Sequence, residues 1–123
     1  MKGTSPIPVI LDTNSLLLPF EFKINLEDEL TKLIGTFEIL VPSTVFDELK
    51  KIKTQHAKPA LHLAMKYKKL SSKKKGDEAI FDLALKLNAI VVTNDKELRR
   101  RLKKKGLKTI YLRQKSYLAM DIP

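Results

Sequence analysis

Val9-Ile10-Leu11-Asp12-Thr13-Asn14 and Val91-Val92-Thr93-Asn94-Asp95 are the most telling stretches of this sequence. Each is a short β-branched run that halts at a cluster of turn-forming residues, the pattern of a buried strand that ends abruptly. Each also carries an aspartate just past the strand's carboxyl end. In a parallel sheet the two would lie on the same edge.

Working outward, strand and helix signals alternate. Leu26 to Ile34 has apolar residues at 26, 30, 33 and 34, a helical spacing, with Gly35 where a helix commonly stops. Phe37 to Val41 reads as a strand closed by Pro42. Ser43 or Thr44 is suited to cap the next helix, whose inner face is Val45, Phe46, Leu49 and Ile52. Pro59 to Leu70 reads as another amphipathic helix, with Ala60, Leu63, Ala64 and Tyr67 inward. Ser71-Ser72-Lys73-Lys74-Lys75-Gly76 breaks the periodicity and reads as a loop. A helix then opens at or beside Asp77, with Ile80, Phe81, Ala84 and Leu87 on one face. After the strand Ala89 to Val92, Leu98 and Leu102 mark the buried seam of a basic helix that ends near Gly106, and Thr109 to Leu112 is a last strand. Such alternation predicts an α/β fold, a parallel sheet covered by helices on both faces with right-handed crossovers. No repeat or linker divides it, so one domain over residues 1–123 is expected. Ligands of such sheets bind beyond the carboxyl ends of the strands.

Composition narrows the function. At 123 residues and 43% hydrophobic, the chain has enough apolar material for a core, which excludes disordered and disulfide-scaffold classes. With no cysteine there is no disulfide, no thiolate zinc site and no cysteine nucleophile. No apolar run approaches a membrane span, and Met1 to Pro8 lacks a signal-peptide core, so a cytoplasmic setting and no membrane partner are expected. The net charge of +10 is unevenly spread. Residues 1–49 hold 3 Lys against 8 Asp and Glu, whereas residues 50–123 hold 21 Lys and Arg against 6 acids. A lysine-rich solubilising surface would account for this, and so would a cation site beside a face that meets a polyanion.

Asp77, after the basic loop, and Glu48, on the helix after the second strand, can reach the edge that Asp12 and Asp95 share. Each has a plainer role available: Asp12 in a turn, Asp95 as a helix cap, Asp77 at a helix N-terminus, Glu48 paired with Lys51. Taken together they would repel one another and stay ionised only around a cation. An all-oxygen donor set suits one or two Mg²⁺ or Mn²⁺ ions rather than zinc. His56 and His62 read as ordinary surface or packing residues.

Leu11 to Leu17, Val41 to Leu49, Gly76 to Ile80 and Val92 to Leu98 resemble the four acidic motifs of PIN domains, in order and in spacing. The resemblance runs from about Val9 to Leu118, and the closing basic helix, Gly106 and Thr109 to Arg113 are similar to archaeal single-domain PIN proteins. It implies a Rossmann-like three-layer α/β/α fold around a central parallel sheet and a metal-dependent ribonuclease. Asp12, Glu48, Asp77 and Asp95 match the family's acidic positions, with Asn14 and Thr93 as supporting polar residues. Asp12, Asp77 and Asp95 would hold the metal, and Glu48 would complete the site or orient the attacking water. Gly76 stands where many members have alanine, a difference that reads as neutral. Asp47 and Glu78 each sit beside a motif acid, and only one of each pair should face the site.

Arg99, Arg100 and Lys103 on the basic helix and Lys73, Lys74 and Lys75 before Asp77 are the candidate RNA-binding residues, with contacts mostly to phosphate. Within the family, VapC-type toxins cut tRNA or rRNA and are silenced by an antitoxin, usually as homodimers. Other members trim precursor rRNA in ribosome assembly, and the form of this chain leans slightly that way. A catalytically quiet RNA-binding or ribosome-assembly scaffold is the competing reading. A dinucleotide-binding domain is rejected for want of Gly-x-Gly-x-x-Gly after the first strand, and a receiver domain for want of its early acidic pair.

Overall fold

A computed structural model describes residues 5–123; part of the Met1–Pro8 stretch considered above lies outside them. The elements run β1 (Ile7–Leu11), α1 (Thr13–Phe22), α2 (Leu26–Ile34), β2 (Phe37–Pro42), α3 (Ser43–Lys51), α4 (Ala57–Ala64), β3 (Lys68–Leu70), α5 (Gly76–Leu87), β4 (Ile90–Val92), α6 (Lys96–Lys104), β5 (Thr109–Arg113) and β6 (Tyr117–Asp121). They form one six-stranded sheet in the order β3-β2-β1-β4-β5-β6, parallel except for β6, which runs antiparallel to β5.

Burial explains why the layers close on both sides. Successive strand residues point to opposite faces, and Val9, Ile10 and Leu11 of β1, like Val91 and Val92 of β4, are all fully buried. Both faces of the central strands are therefore covered, as the unbroken apolar runs required. From β1 the chain winds outward to β2 and β3, then returns to place β4 on the other side of β1. The strand order reverses there, and the crevice beyond the carboxyl ends of β1 and β4 is the switch point where ligands bind. The register pairs Leu11 with Val92, so Asp12 and Thr93 emerge side by side.

Four local expectations are corrected. The stretch after Asp12 is not only a turn but the start of α1; its run of Leu16, Leu17 and Leu18 and the interior Pro19 masked the helical period. The helix expected over 59–70 ends at Ala64, and Lys68 to Leu70 forms the edge strand β3, whose exposed lysines guard an open sheet edge. β6 returns through Gln114 and Lys115, both with positive φ, a hairpin turn without the usual glycine signal. On α5, Ala79 is buried while Leu87 is 41% exposed, so the inner face is rotated from the one expected.

Candidate active site

Asp12 and Asp95 each perform the plain structural task first. Asp12 Oδ1 accepts from the Ser15 amide at 2.8 Å and caps α1; Asp95 Oδ1 accepts from the Leu98 amide at 3.0 Å and caps α6. Capping fixes the carboxylates at the helix starts where the sheet edge opens. Thr93, fully buried between them, links the two: its hydroxyl accepts from the Asp95 amide at 3.1 Å and favours the charged form of the Asp12 carboxyl. Asn94 pins the same turn to β5, accepting from the Leu112 amide at 2.7 Å.

Glu48 and Asp77 complete the set. Asp12, Glu48, Asp77 and Asp95 line one pocket of about 380 Å³ together with Thr13, Asn14, Lys51, Ile52 and Ile80. Glu48 has no ion pair with Lys51 among the described residues; instead it accepts a hydrogen bond from the Thr13 hydroxyl. Asp77 lies beside Asp95 in this pocket and feels its charge. The adjacent acids point elsewhere. Glu78 pairs with Arg101 at 2.7 Å, and Asp47 lines a neighbouring pocket.

Electrostatics follow from this crowding. The Asp12 carboxyl is held above its ordinary range by burial, against the lowering effect of its bonds to Ser15 and Thr93. Asp77 is also raised, by partial burial first and then by the charges of Asp95, Asp12 and Glu48. Carboxylates crowded in this way are relieved by a proton or a cation. Among the described residues no three acids are gathered tightly enough to hold an ion between them as they stand. The donor chemistry nevertheless fits a hard divalent ion, with carboxylate and hydroxyl oxygens and no imidazole or thiolate. A larger groove of about 480 Å³, bounded by Pro19, Phe20, Leu63 and Tyr67, contains none of the four acids.

The sequence reading missed Ser15, Thr13 and the hydroxyls of α3. Ser15 is buried and its Oγ donates to the Val92 carbonyl at 2.6 Å, clamping α1 to β4. Ser43 and Thr44 do not cap α3, whose N-cap is Pro42. Their hydroxyls accept from the Ser72 amide at 3.2 Å and the Gly76 amide at 3.1 Å, anchoring the loop that delivers Asp77. Gly76 has φ 58°, a left-handed backbone that strains any residue with a Cβ, so it is not interchangeable with alanine here. Thr44→Val should leave the Gly76 amide unpartnered, costing about 1–3 kcal/mol in stability and displacing Asp77, which thermal melts and cleavage assays would register together.

The candidate RNA-binding residues fall into two groups. Arg99 stacks on the Tyr111 ring at 3.9 Å and pairs with Asp121 at 3.1 Å, and Lys103 reaches the same Asp121 at 3.3 Å. Arg100 pairs with Glu97, and Lys74 lies 3.5 Å from Asp82. Lys73 and Lys75 are exposed and form no ion pair among the described residues. His56 is half-buried at the start of α4, and His62 is exposed.

The family model described as a PIN-like domain matches residues 9–115. The chain belongs to this family. Among curated relatives of this PIN domain, Ribonuclease VapC4 of Methanocaldococcus jannaschii is 34% identical over 121 residues, covering 89% of this chain and 92% of the relative. Ribonuclease VapC9 of Archaeoglobus fulgidus is 27% identical over 120 residues, covering 92% and 88%. The solved structure of the PIN domain endonuclease Utp24 superposes with a TM-score of 0.83 at 25% identity, over 96% of this chain and 93% of that one. A domain of a functionally unknown Methanocaldococcus jannaschii protein shares the fold, with a TM-score of 0.62 at 16% identity over 87% and 91% of the two chains.

Proposed function

We propose that this PIN domain is a divalent-metal-dependent endoribonuclease that hydrolyses RNA phosphodiester bonds. The observation that carries the reading is the convergence of Asp12, Glu48, Asp77 and Asp95 on one pocket at the switch point of the sheet. The ribonuclease names of the two relatives and the endonuclease name of the structural neighbour support it.

Asp12, Asp77 and Asp95 would hold the ion, each fixed by its own element: the β1 end, the α5 start and the β4 end. An ion held there, Mg²⁺ or Mn²⁺, would supply acidification of water and neutralisation of charge on the phosphoryl and leaving oxygens. Glu48, oriented by the Thr13 hydroxyl, aligns the attacking water and takes its proton. Thr93 keeps Asp12 and Asp95 in fixed relation, so little reorganisation is needed when substrate arrives. The water oxygen bonds to phosphorus, the 3′-oxygen leaves and takes a proton, and the products carry a 5′-phosphate and a 3′-hydroxyl. End-group analysis of RNA cut by the purified protein checks this directly. A 2′,3′-cyclic phosphate would mean that the ribose hydroxyl, not water, is the nucleophile, and would rule out the assigned chemistry.

The VapC names of two relatives favour a VapC-type role, in which a protein antitoxin silences the enzyme and the active form is a homodimer. The likeness to the PIN domain endonuclease Utp24 fits an endonuclease in either role, the second being the trimming of precursor rRNA in ribosome assembly. Growth arrest on expression, relieved by a co-expressed antitoxin, marks the first; accumulation of unprocessed rRNA on depletion marks the second. Tight RNA binding without cutting would instead support the quiet scaffold.

A further inference from the structure

A second pocket, of about 370 Å³, adjoins the acidic one and shares Glu48 and Lys51 with it; Thr44, Asp47, Lys50 and Lys75 complete its lining. Its three lysines come from two elements, Lys50 and Lys51 from the end of α3 and Lys75 from the loop before α5. The Thr44–Gly76 hydrogen bond fixes that loop against α3 and so holds Lys75 beside the other two. All three are exposed, and among the described residues none forms an ion pair, although Asp47 and Glu48 are close at hand.

The contrast with α6 gives this its meaning. Arg99, Arg100, Arg101 and Lys103 are each committed to a carboxylate, of Asp121, Glu97, Glu78 and Asp121 in turn. The groove along α6 has Asp121 in its lining and contains none of the four acids of the site. A phosphate arriving at Arg99, Arg100, Arg101 or Lys103 must displace an anion already in place, and only Lys96 and Lys104 of the α6 groove are without one among the described residues. A phosphate arriving at Lys50, Lys51 and Lys75 breaks no ion pair, although Asp47 and Glu48 share the lining, and it releases mobile counterions, which is the favourable entropic source of polyanion binding. No aromatic lines this pocket, and Phe46 of α3 is buried and lies under Lys69 at 5.2 Å, so no stacking surface is offered to bases there.

We infer that Lys50, Lys51 and Lys75 form the track for the RNA backbone beside the scissile phosphate, and that they bind phosphates without reading sequence. The inference rests on the ribonuclease reading for the identity of the polyanion. Lys51, at the junction of the two pockets, sits against the phosphate next to the cut. The ion-paired cations of α6 add to the long-range positive field rather than to direct contacts.

The test measures binding of a labelled single-stranded RNA over a range of salt, in chelator so that nothing is cut. Beside the natural chain stand a triple variant, Lys50→Gln, Lys51→Gln and Lys75→Gln, and a helix variant, Arg100→Gln, Lys103→Gln and Lys104→Gln. At about 0.7 per phosphate contact to a single strand, the triple variant loses about 2 from the slope of log K against log salt, and the helix variant loses much less. Thermal melts confirm folding, which exposed lysines do not govern. Equal losses in both variants, or a loss confined to the helix variant, overturn the track. Cleavage of the same RNA with Mn²⁺ is scored separately. Cutting by the natural chain with an unchanged slope in the triple variant sinks the track and spares the nuclease; a lost slope in the triple variant with no cutting by the natural chain sinks the nuclease and leaves a phosphate-binding surface. No binding by the natural chain sinks the track.

Discussion

Asp12→Asn is expected to abolish RNA cleavage while the protein remains folded. Asparagine keeps the oxygen that accepts from the Ser15 amide, so the α1 cap survives, and the side chain is nearly isosteric in a site only 8% exposed. What disappears is a negative charge whose burial already opposes ionisation. Loss of several kcal/mol of transition-state stabilisation corresponds to a fall in rate of about three orders of magnitude. The melting temperature at neutral pH should hold or rise, because no buried charge has to be accommodated. Asp12→Ala separates the two roles: it loses the same activity and in addition about 1 kcal/mol of helix capping. A fully active Asp12→Asn protein would remove Asp12 from the chemistry, and a collapsed one would show that its charge serves structure.

A second large effect concerns stability. Asp12 and Asp77 both bind their protons more tightly folded than unfolded, so the stability they contribute is present below the ordinary carboxyl range. It is lost as pH rises through their elevated folded values. In chelator, the protein should therefore melt lower at neutral than at mildly acidic pH, as far as these two groups govern it. Asp77→Asn removes one of the clustered charges and should melt higher than the natural chain in chelator at neutral pH. On the metal-dependent reading, adding Mn²⁺ at a hundredfold excess over its dissociation constant should stabilise the natural chain by about 2.7 kcal/mol. For a chain of this size that is roughly ten degrees. The gain should shrink sharply in Asp77→Asn. An unchanged melt with Mn²⁺, together with a less stable Asp77→Asn, would mean that the acids are held by structure alone and gather no ion.

The central sheet was legible because its strands are buried on both faces. Val9 to Leu11 and Val91 to Val92 are uninterrupted apolar runs with turn residues at their ends, and that pattern fixes both the strands and the edge to which their aspartates belong. The edge strands carry no such mark. Lys68 to Leu70 is three residues long and largely exposed, and β6 depends on pairing with β5 rather than on its own alternation. α1 hid behind a leucine run that has no helical period and a proline in its interior.

The four acids were legible as positions, but their orientation was not. Only the packing of α5 against α6 shows that Glu78 turns to Arg101 while Asp77 turns to Asp95. The hydroxyls that hold the site in register were read too locally. Ser43 and Thr44 look like helix caps within a window of a few residues, yet their partners lie at Ser72 and Gly76, a distance in sequence that local patterns do not span. The same holds for the basic residues. Sequence shows how many there are, and the fold shows which already have an anion beside them.

The most direct test of the account is cleavage of labelled single-stranded RNA by the purified chain in three samples: with Mn²⁺, with Mn²⁺ and excess chelator, and as Asp12→Asn with Mn²⁺. The account predicts cutting in the first sample and none in the other two. Cutting that persists in chelator or in the Asp12→Asn protein would contradict a metal-dependent site built on Asp12, Glu48, Asp77 and Asp95.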